Sequence, residues 1–415
     1  MPKGSGGIPV ASQPNRIVTV AALVVAAAMA AALLVEGWAA RAIRNGDMET
    51  ALALRPDAAP ALARASTVAF GAHRFGVAGA LARAALEYAP LDVTATRTLG
   101  YVADRKGDLK RAAALMNQSA RLSWRDTPTQ AWLFRQALFS GDTAAIVQRG
   151  DALLRRNQFE KPVLAAFDFL ATTDEGRSAL AQTLAMTPPW RTAFLMQLKP
   201  DNATIAADYV ALFDTLTAVD SSPDERESAP FLTRLVEMGY GPAAYALSLR
   251  LQGIKDDAQP LVTDPDFQNA APRDYPSPFA WQLPIREGVQ ASAGVAPDGQ
   301  PALSVEASTG GADVFAYSYV ALPPGAYRIS FSVYGETDGA SDRLRGYVEC
   351  AGSTRRLTSI IPHGASGRWG TANARFAVPE GCSAQRLRFD MLGGGDGETQ
   401  LYIRQVAITP AEPLD

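Results

Sequence analysis

Residues 319–335 read YVALPPGAYRISFSVYG. Pro323-Pro324-Gly325 supply turn chemistry, because proline presets φ and glycine accepts what other residues refuse. Beyond the turn, Tyr327, Ile329, Phe331 and Val333 alternate with Arg328, Ser330, Ser332 and Tyr334. A period of two is the signature of a strand with one buried face. Working outward, the same texture recurs in GQPALSVEAS (299–308), GYVECAG (346–352), WGTANARFAVPEGC (369–382), QRLRFDML (385–392) and TQLYIRQVAIT (399–409). Short alternating strands separated by turn residues predict an all-β sandwich over 263–415.

Strand parity then separates core from surface. Leu344, Gly346, Val348 and Cys350 point inward, leaving Arg345, Tyr347 and Glu349 outside. Leu387, Phe389 and Met391 oppose Arg388 and Asp390, and Leu401 and Ile403 oppose Tyr402 and Arg404. Along 314–322, Val314, Ala316, Val320 and Leu322 fit the core, so Phe315, Tyr317 and Tyr319 are expected to face outward. Several landmarks resemble the jelly-roll carbohydrate-binding modules of the galactose-binding-like class. They are Phe279-Ala280-Trp281, the strand Ala302 to Val305, the Pro324-Gly325-Ala326-Tyr327 step, Trp369 ahead of Phe376 to Pro379, and the closing Ile403 to Val406. The resemblance implies glycan binding by the outward set Tyr317, Tyr319, Tyr334, Tyr347 and Tyr402 with Arg345 and Arg388. Aromatic faces stack on the C–H faces of pyranoses, and charged groups bond hydroxyls. Two readings compete for these aromatics: a sugar face, or a seat for the sandwich on the helical region. Trp281 is expected to plug one end of the sandwich.

Before residue 263 the period changes. Gly107-Asp108 recurs as Gly141-Asp142 after thirty-four residues, and Pro56 recurs as Pro90. Gly100, Ala78 and Ala112 are small residues within these units. This period and pattern resemble the tetratricopeptide repeat, which implies a superhelix over 41–160 with a groove for a partner protein. The unit from Val93 to Asp126 is regular, and its neighbours are degenerate. Further helical pairs are expected over 161–262, without a recognisable period.

Ile17 to Val35 are nineteen consecutive uncharged residues, long enough for a helix to span a bilayer. Residues 1–16 read as a disordered tail. The apolar core exceeds that of a usual signal peptide, so 17–35 is expected to be a transmembrane anchor; cleavage near Trp38-Ala39-Ala40 is the alternative. Lys and Arg are nearly balanced across the span, so orientation rests elsewhere. The two cysteines, Cys350 and Cys382, both fall in the sandwich. In an exported domain such a pair suggests a disulfide rather than two unrelated thiols. Together these features lead to the expectation of a single-pass protein of a bacterial inner membrane, with its body in the periplasm.

The net charge of −3 and the absence of basic runs point to no nucleic acid. The only histidines, His73 and His363, lie in different domains, which excludes a histidine-based metal cluster or triad within either. Asp264 and Asp266 offer two carboxylates, too few oxygens to define a cation site, and no metal or cofactor is implied. Gly393 to Gly397 reads as a turn, and Asp256-Asp257 as linker. The expected function is a non-enzymatic, membrane-anchored scaffold, with protein in the repeat groove and polysaccharide on the sandwich, accessory to exopolysaccharide or surface-glycan assembly. The alternative is a purely structural adaptor without sugar binding; an enzyme built from scattered carboxylates ranks last.

Overall fold

The computed structural model describes residues 16–254, 260–308, 312–336, 339–353, 355–363, 366–393 and 397–412. Residues 1–15 of the expected tail, the pair Asp256-Asp257, and positions 394–396 of the expected turn lie outside the described residues. The chain divides into two compact units, Met1–Phe159 and Glu160–Asp415.

The first unit is helical: α1 (Arg16–Asn45), α2 (Met48–Leu54), α3 (Ala59–Gly71), α4 (Phe75–Tyr88), α5 (Val93–Arg105), α6 (Leu109–Leu122), α7 (Thr127–Ser140) and α8 (Thr143–Leu154). Helix α1 changes character along its length. Its apolar side chains are bare through Leu33, which is 72 % exposed, whereas Ala39 and Ala42 are buried. Ala42 packs with Ala51 and Ala61. Among the described residues this is the one helix long and apolar enough to cross a membrane.

The next three helix pairs keep step. α3, α5 and α7 start at Ala59, Val93 and Thr127, thirty-four residues apart, and α4, α6 and α8 keep the same interval. The caps repeat too. Asp92, Asp108, Asp126 and Asp142 each accept a backbone N–H three residues on, satisfying a donor that the first turn leaves orphaned. Gly107 and Gly141 take left-handed φ values of +80° and +68° where the helices turn, a conformation that side chains resist. A Cβ on Gly100 would sit 3.0 Å from Met116 Cε, so its absence sets the close approach of α5 to α6.

The second unit begins with α9 (Glu160–Ala171), α10 (Asp174–Leu184), α11 (Arg191–Met196), α12 (Ala203–Ala218), α13 (Glu225–Glu237) and α14 (Gly241–Leu251). Here the starts are irregular. A buried ion pair ties them: Arg191 Nη2 lies 2.8 Å from Glu227 Oε2, and the guanidinium also reaches Ser221 and the Leu184 carbonyl. Glu227 closes a capping box with Asp224 as well.

Among the described residues nine strands follow: β1 (Val289–Val295), β2 (Pro301–Ala307), β3 (Asp313–Val320), β4 (Gly325–Gly335), β5 (Leu344–Cys350), β6 (Arg356–Ile360), β7 (Trp369–Val378), β8 (Gln385–Met391) and β9 (Thr399–Pro410). They form a five-stranded sheet, β1-β2-β9-β4-β7, and a four-stranded sheet, β3-β8-β5-β6. Their inner faces share one core, containing Ile329, Phe331, Val333, Leu344, Val348, Leu387, Phe389, Leu401 and Ile403, as parity requires. Trp281 is 2 % exposed, stacks on Phe389 with centroids 5.7 Å apart, and donates its N–H to the Asp264 carbonyl. Cys350 and Cys382 form a disulfide, with Cα atoms 5.6 Å apart.

Two parity assignments on β3 fail. Val314, expected in the core, stands opposite the outward Asp390 and is not part of the shared core. Phe315 is fully buried against Phe389, not outward. A bulge between Val314 and Ala316 adds a residue to β3 opposite β8, so Phe315 and Ala316 both turn inward. After the bulge the expected alternation resumes, with Tyr317 and Tyr319 facing out.

Candidate functional site: the outer faces of the sandwich

Register decides which outward residues can act together. On the four-stranded sheet, Tyr317 of β3 is opposite Arg388 of β8, which is opposite Tyr347 of β5. The neighbouring row holds Tyr319, Arg386 and Glu349. These groups satisfy one another. Arg386 Nη2 donates to Glu349 Oε2 at 2.6 Å, and Arg388 lies 3.2 Å from Glu349 Oε1 and 2.9 Å from Asp390 Oδ1. Burial pushes the Asp390 carboxyl above its usual range despite Arg388. Two guanidinium groups lie over the Tyr347 ring, Arg356 at 4.1 Å and Arg388 at 4.7 Å. Each cation–π contact occupies aromatic surface that a sugar would need. Arg345 turns back to the carbonyls of Asp342 and Leu344.

Tyr317 and Tyr319 meet edge to face and line a cleft of about 720 Å³ with Lys199, Arg234 and Glu237 from the helical part of the unit and Tyr275 from the segment before β1. Burial raises the Tyr319 phenol above its ordinary value. Nearby, Tyr245 of α14 packs on Phe279 with centroids 4.9 Å apart, and Glu225 of α13 takes Arg273 and the Ser277 N–H. A Cβ on Gly241 would overlap the Ser383 carbonyl. This side of the sandwich is therefore bound to the helices.

The five-stranded sheet is built differently. Tyr402 of β9, Tyr334 of β4 and Trp369 of β7 stand opposite one another on three adjacent strands. Their rings form a continuous row, Tyr402 to Tyr334 at 6.2 Å and Tyr334 to Trp369 at 5.7 Å. Tyr334 and Trp369 are half-buried, and Tyr402 is buried with its hydroxyl donating to Glu336 and accepting from Gln400. Arg404 lies over Trp369 at 3.8 Å and pairs with Asp298 of the β1–β2 turn at 2.8 Å. Beside the row, Gln290, Glu306, Glu336, Glu398 and Gln400 line a depression of about 460 Å³.

The seven expected residues thus divide between two faces. Tyr317, Tyr319, Arg345, Tyr347 and Arg388 share the four-stranded face; Tyr334 and Tyr402 share the five-stranded one. Sequence reasoning treated Trp369 as a landmark of fold and missed it as a neighbour of Tyr334, along with Glu336, Gln400 and Asp298. The pairing that unites them is long-range and leaves no local signal. Asp264 and Asp266 accept backbone N–H groups, from Gln268 and Asn269 and from Gln405 respectively, so both carboxylates hold loops.

No family model and no curated protein matches the sequence. Among solved structures, the chain resembles TmCBM61 in complex with beta-1,4-galactotriose, at 17 % identity and a TM-score of 0.27, over 37 % of this chain and 100 % of that one. A CBM4 structure matches at 18 % identity and 0.25, over 37 % and 96 %. The CBM22-2 xylan-binding domain of Xyn10C from Paenibacillus barcinonensis matches at 16 % and 0.23, over 35 % and 97 %.

Proposed function

We propose that the protein is a non-enzymatic, membrane-anchored scaffold whose sandwich contacts glycan through the outer face of the five-stranded sheet. One observation carries this reading: Tyr402, Tyr334 and Trp369 form a row beside a depression of carboxylates and amides. Aromatic surface suits the apolar faces of pyranoses, and Glu306, Glu336 and Gln400 suit their hydroxyls. Helix α1 supports the anchor, because a bare apolar helix gains free energy only where lipid or a partner covers it. The disulfide supports an oxidising compartment, which for an anchored bacterial chain is the periplasm. The thirty-four-residue helix pairs support a tetratricopeptide-like array that holds a partner protein, and the whole would serve exopolysaccharide or surface-glycan assembly.

The purely structural adaptor draws on a separate observation, the occupied four-stranded face and its attachment to α13 and α14. Glycan-array binding by the full-length protein in detergent distinguishes the two. Retention of specific oligosaccharides supports the scaffold; an array without signal leaves the adaptor.

A further inference from the structure

The stretch from the end of α5 to just past α8 carries a charge imbalance that the glycan reading does not use. Residues 105–156 hold ten Lys and Arg against four Asp, in a chain whose net charge is −3. All four acids are engaged locally. Asp108, Asp126 and Asp142 cap α6, α7 and α8, and Asp151 pairs with Arg155 at 2.8 Å. Two of these basic residues, Arg121 and Arg149, line a pocket of about 640 Å³ between α6 and α8, together with Ala114, Asn117, Ala120 and Trp124. No acid lines it.

Arg149 is the telling residue. Its guanidinium lies 4.8 Å over the Trp124 ring and donates to Gln130 Oε1 at 3.2 Å. It is half-buried, and among the described residues no carboxylate pairs with it. Burial lowers its pKa, with no acid to offset the desolvation. A partly desolvated cation normally has an anion beside it. Arg121 stands at the rim of the same pocket, exposed, with its donors free among the described residues.

We propose that this pocket receives the carboxylate side chain of an acidic segment in a partner protein. The two planar guanidinium groups offer forked donors to a carboxylate, a geometry that lysines would not supply. Asn117 adds a donor and an acceptor suited to the peptide bonds of the same segment. Ala114 and Ala120 leave room for an inserted side chain. The recess disfavours a flat lipid surface, which would engage an exposed stripe instead. The trapped arginine would gain its missing counter-charge on binding, and the interaction would weaken with salt.

The test is fluorescence anisotropy of a labelled hexaglutamate peptide with the full-length protein in phosphatidylcholine nanodiscs. Saturable binding should weaken at least tenfold in Arg149→Gln and severalfold in Arg121→Gln. Arg121→Gln removes an exposed side chain and leaves the fold intact, so it remains informative if Arg149→Gln unfolds. Arg149→Lys should restore only part of the affinity, because it keeps charge without the fork. Absence of peptide binding, or equal binding by Arg121→Gln and wild type, would overturn the proposal. So would displacement by inorganic phosphate at equal concentration, or tighter binding of polygalacturonate, since these mark a general anion site or a glycan surface.

Discussion

The two outer faces of the sandwich carry similar residues in different arrangements. On the four-stranded sheet, Tyr347 lies beneath Arg356 and Arg388, and Glu349 gathers Arg386 and Arg388. On the five-stranded sheet, Tyr402, Tyr334 and Trp369 run side by side, with acids and amides to one flank. Composition alone would rank the faces equally. What separates them is how the cations are spread: on the four-stranded sheet two guanidinium groups lie over the single Tyr347 ring, whereas on the five-stranded sheet Arg404 lies over Trp369 alone and Tyr334 stands between two rings. The first arrangement consumes recognition surface to stabilise the domain; the second leaves it for a ligand.

If this contrast holds, perturbing the four-stranded side should cost stability and spare ligand binding. The largest effect is expected from the disulfide, which ties the end of β5 to the loop before β8. Replacing Cys350 and Cys382 by serine releases a closed loop with a sequence separation of 32, and the chain-entropy model assigns about 3 to 4 kcal/mol to such a closure. Urea unfolding of oxidised and variant protein measures it. Next is Glu349→Ala, which strands Arg386 and Arg388 beside Asp390. With Arg386 about a third exposed, the loss should be about 2 kcal/mol, below that of a fully buried pair. An unchanged denaturation midpoint would show that the network contributes nothing and that the faces are alike.

The smallest effect is alkaline. The buried Tyr245 phenol, which donates to the Pro260 carbonyl, is pushed up to about 12 by burial, from an ordinary value near 10. The native state then holds its proton where the unfolded chain has lost it. This contribution is complete below pH about 10 and is lost as pH rises towards about 12. Tyr245→Phe should flatten the decline of the thermal midpoint across that window. A wild-type midpoint that rises there would reverse the sign and contradict the burial of the phenol.

Much of this fold is legible locally. The alternation of Tyr327, Ile329, Phe331 and Val333 with Arg328 and Tyr334 is a property of one strand, so parity placed each side chain. Gly107-Asp108 and Gly141-Asp142 mark helix turns for equally local reasons: a left-handed glycine, then a capping aspartate. Phe315 was misplaced because a bulge changes the count and nothing in VFAYSY announces one. The site was half legible. Tyr334 and Tyr402 were seen to point outward, but their alliance with Trp369 depends on β4 lying between β7 and β9, a pairing across long sequence separations. The irregular helices α9 to α14 offer no period because their packing rests on individual contacts such as Arg191 with Glu227.

The most direct test compares one aromatic from each face. With an oligosaccharide selected on the glycan array, titration calorimetry would measure binding by full-length wild type, Tyr334→Ala and Tyr347→Ala in detergent. Loss of one stacking aromatic amounts to about 1 kcal/mol or more, so Tyr334→Ala should weaken binding at least fivefold, with a modest fall in thermal midpoint because the ring also packs on Tyr402 and Trp369. Tyr347→Ala should bind as wild type does and unfold at a lower temperature. The reverse pattern, with affinity lost in Tyr347→Ala and retained in Tyr334→Ala, would contradict the assignment of the glycan surface to the five-stranded sheet.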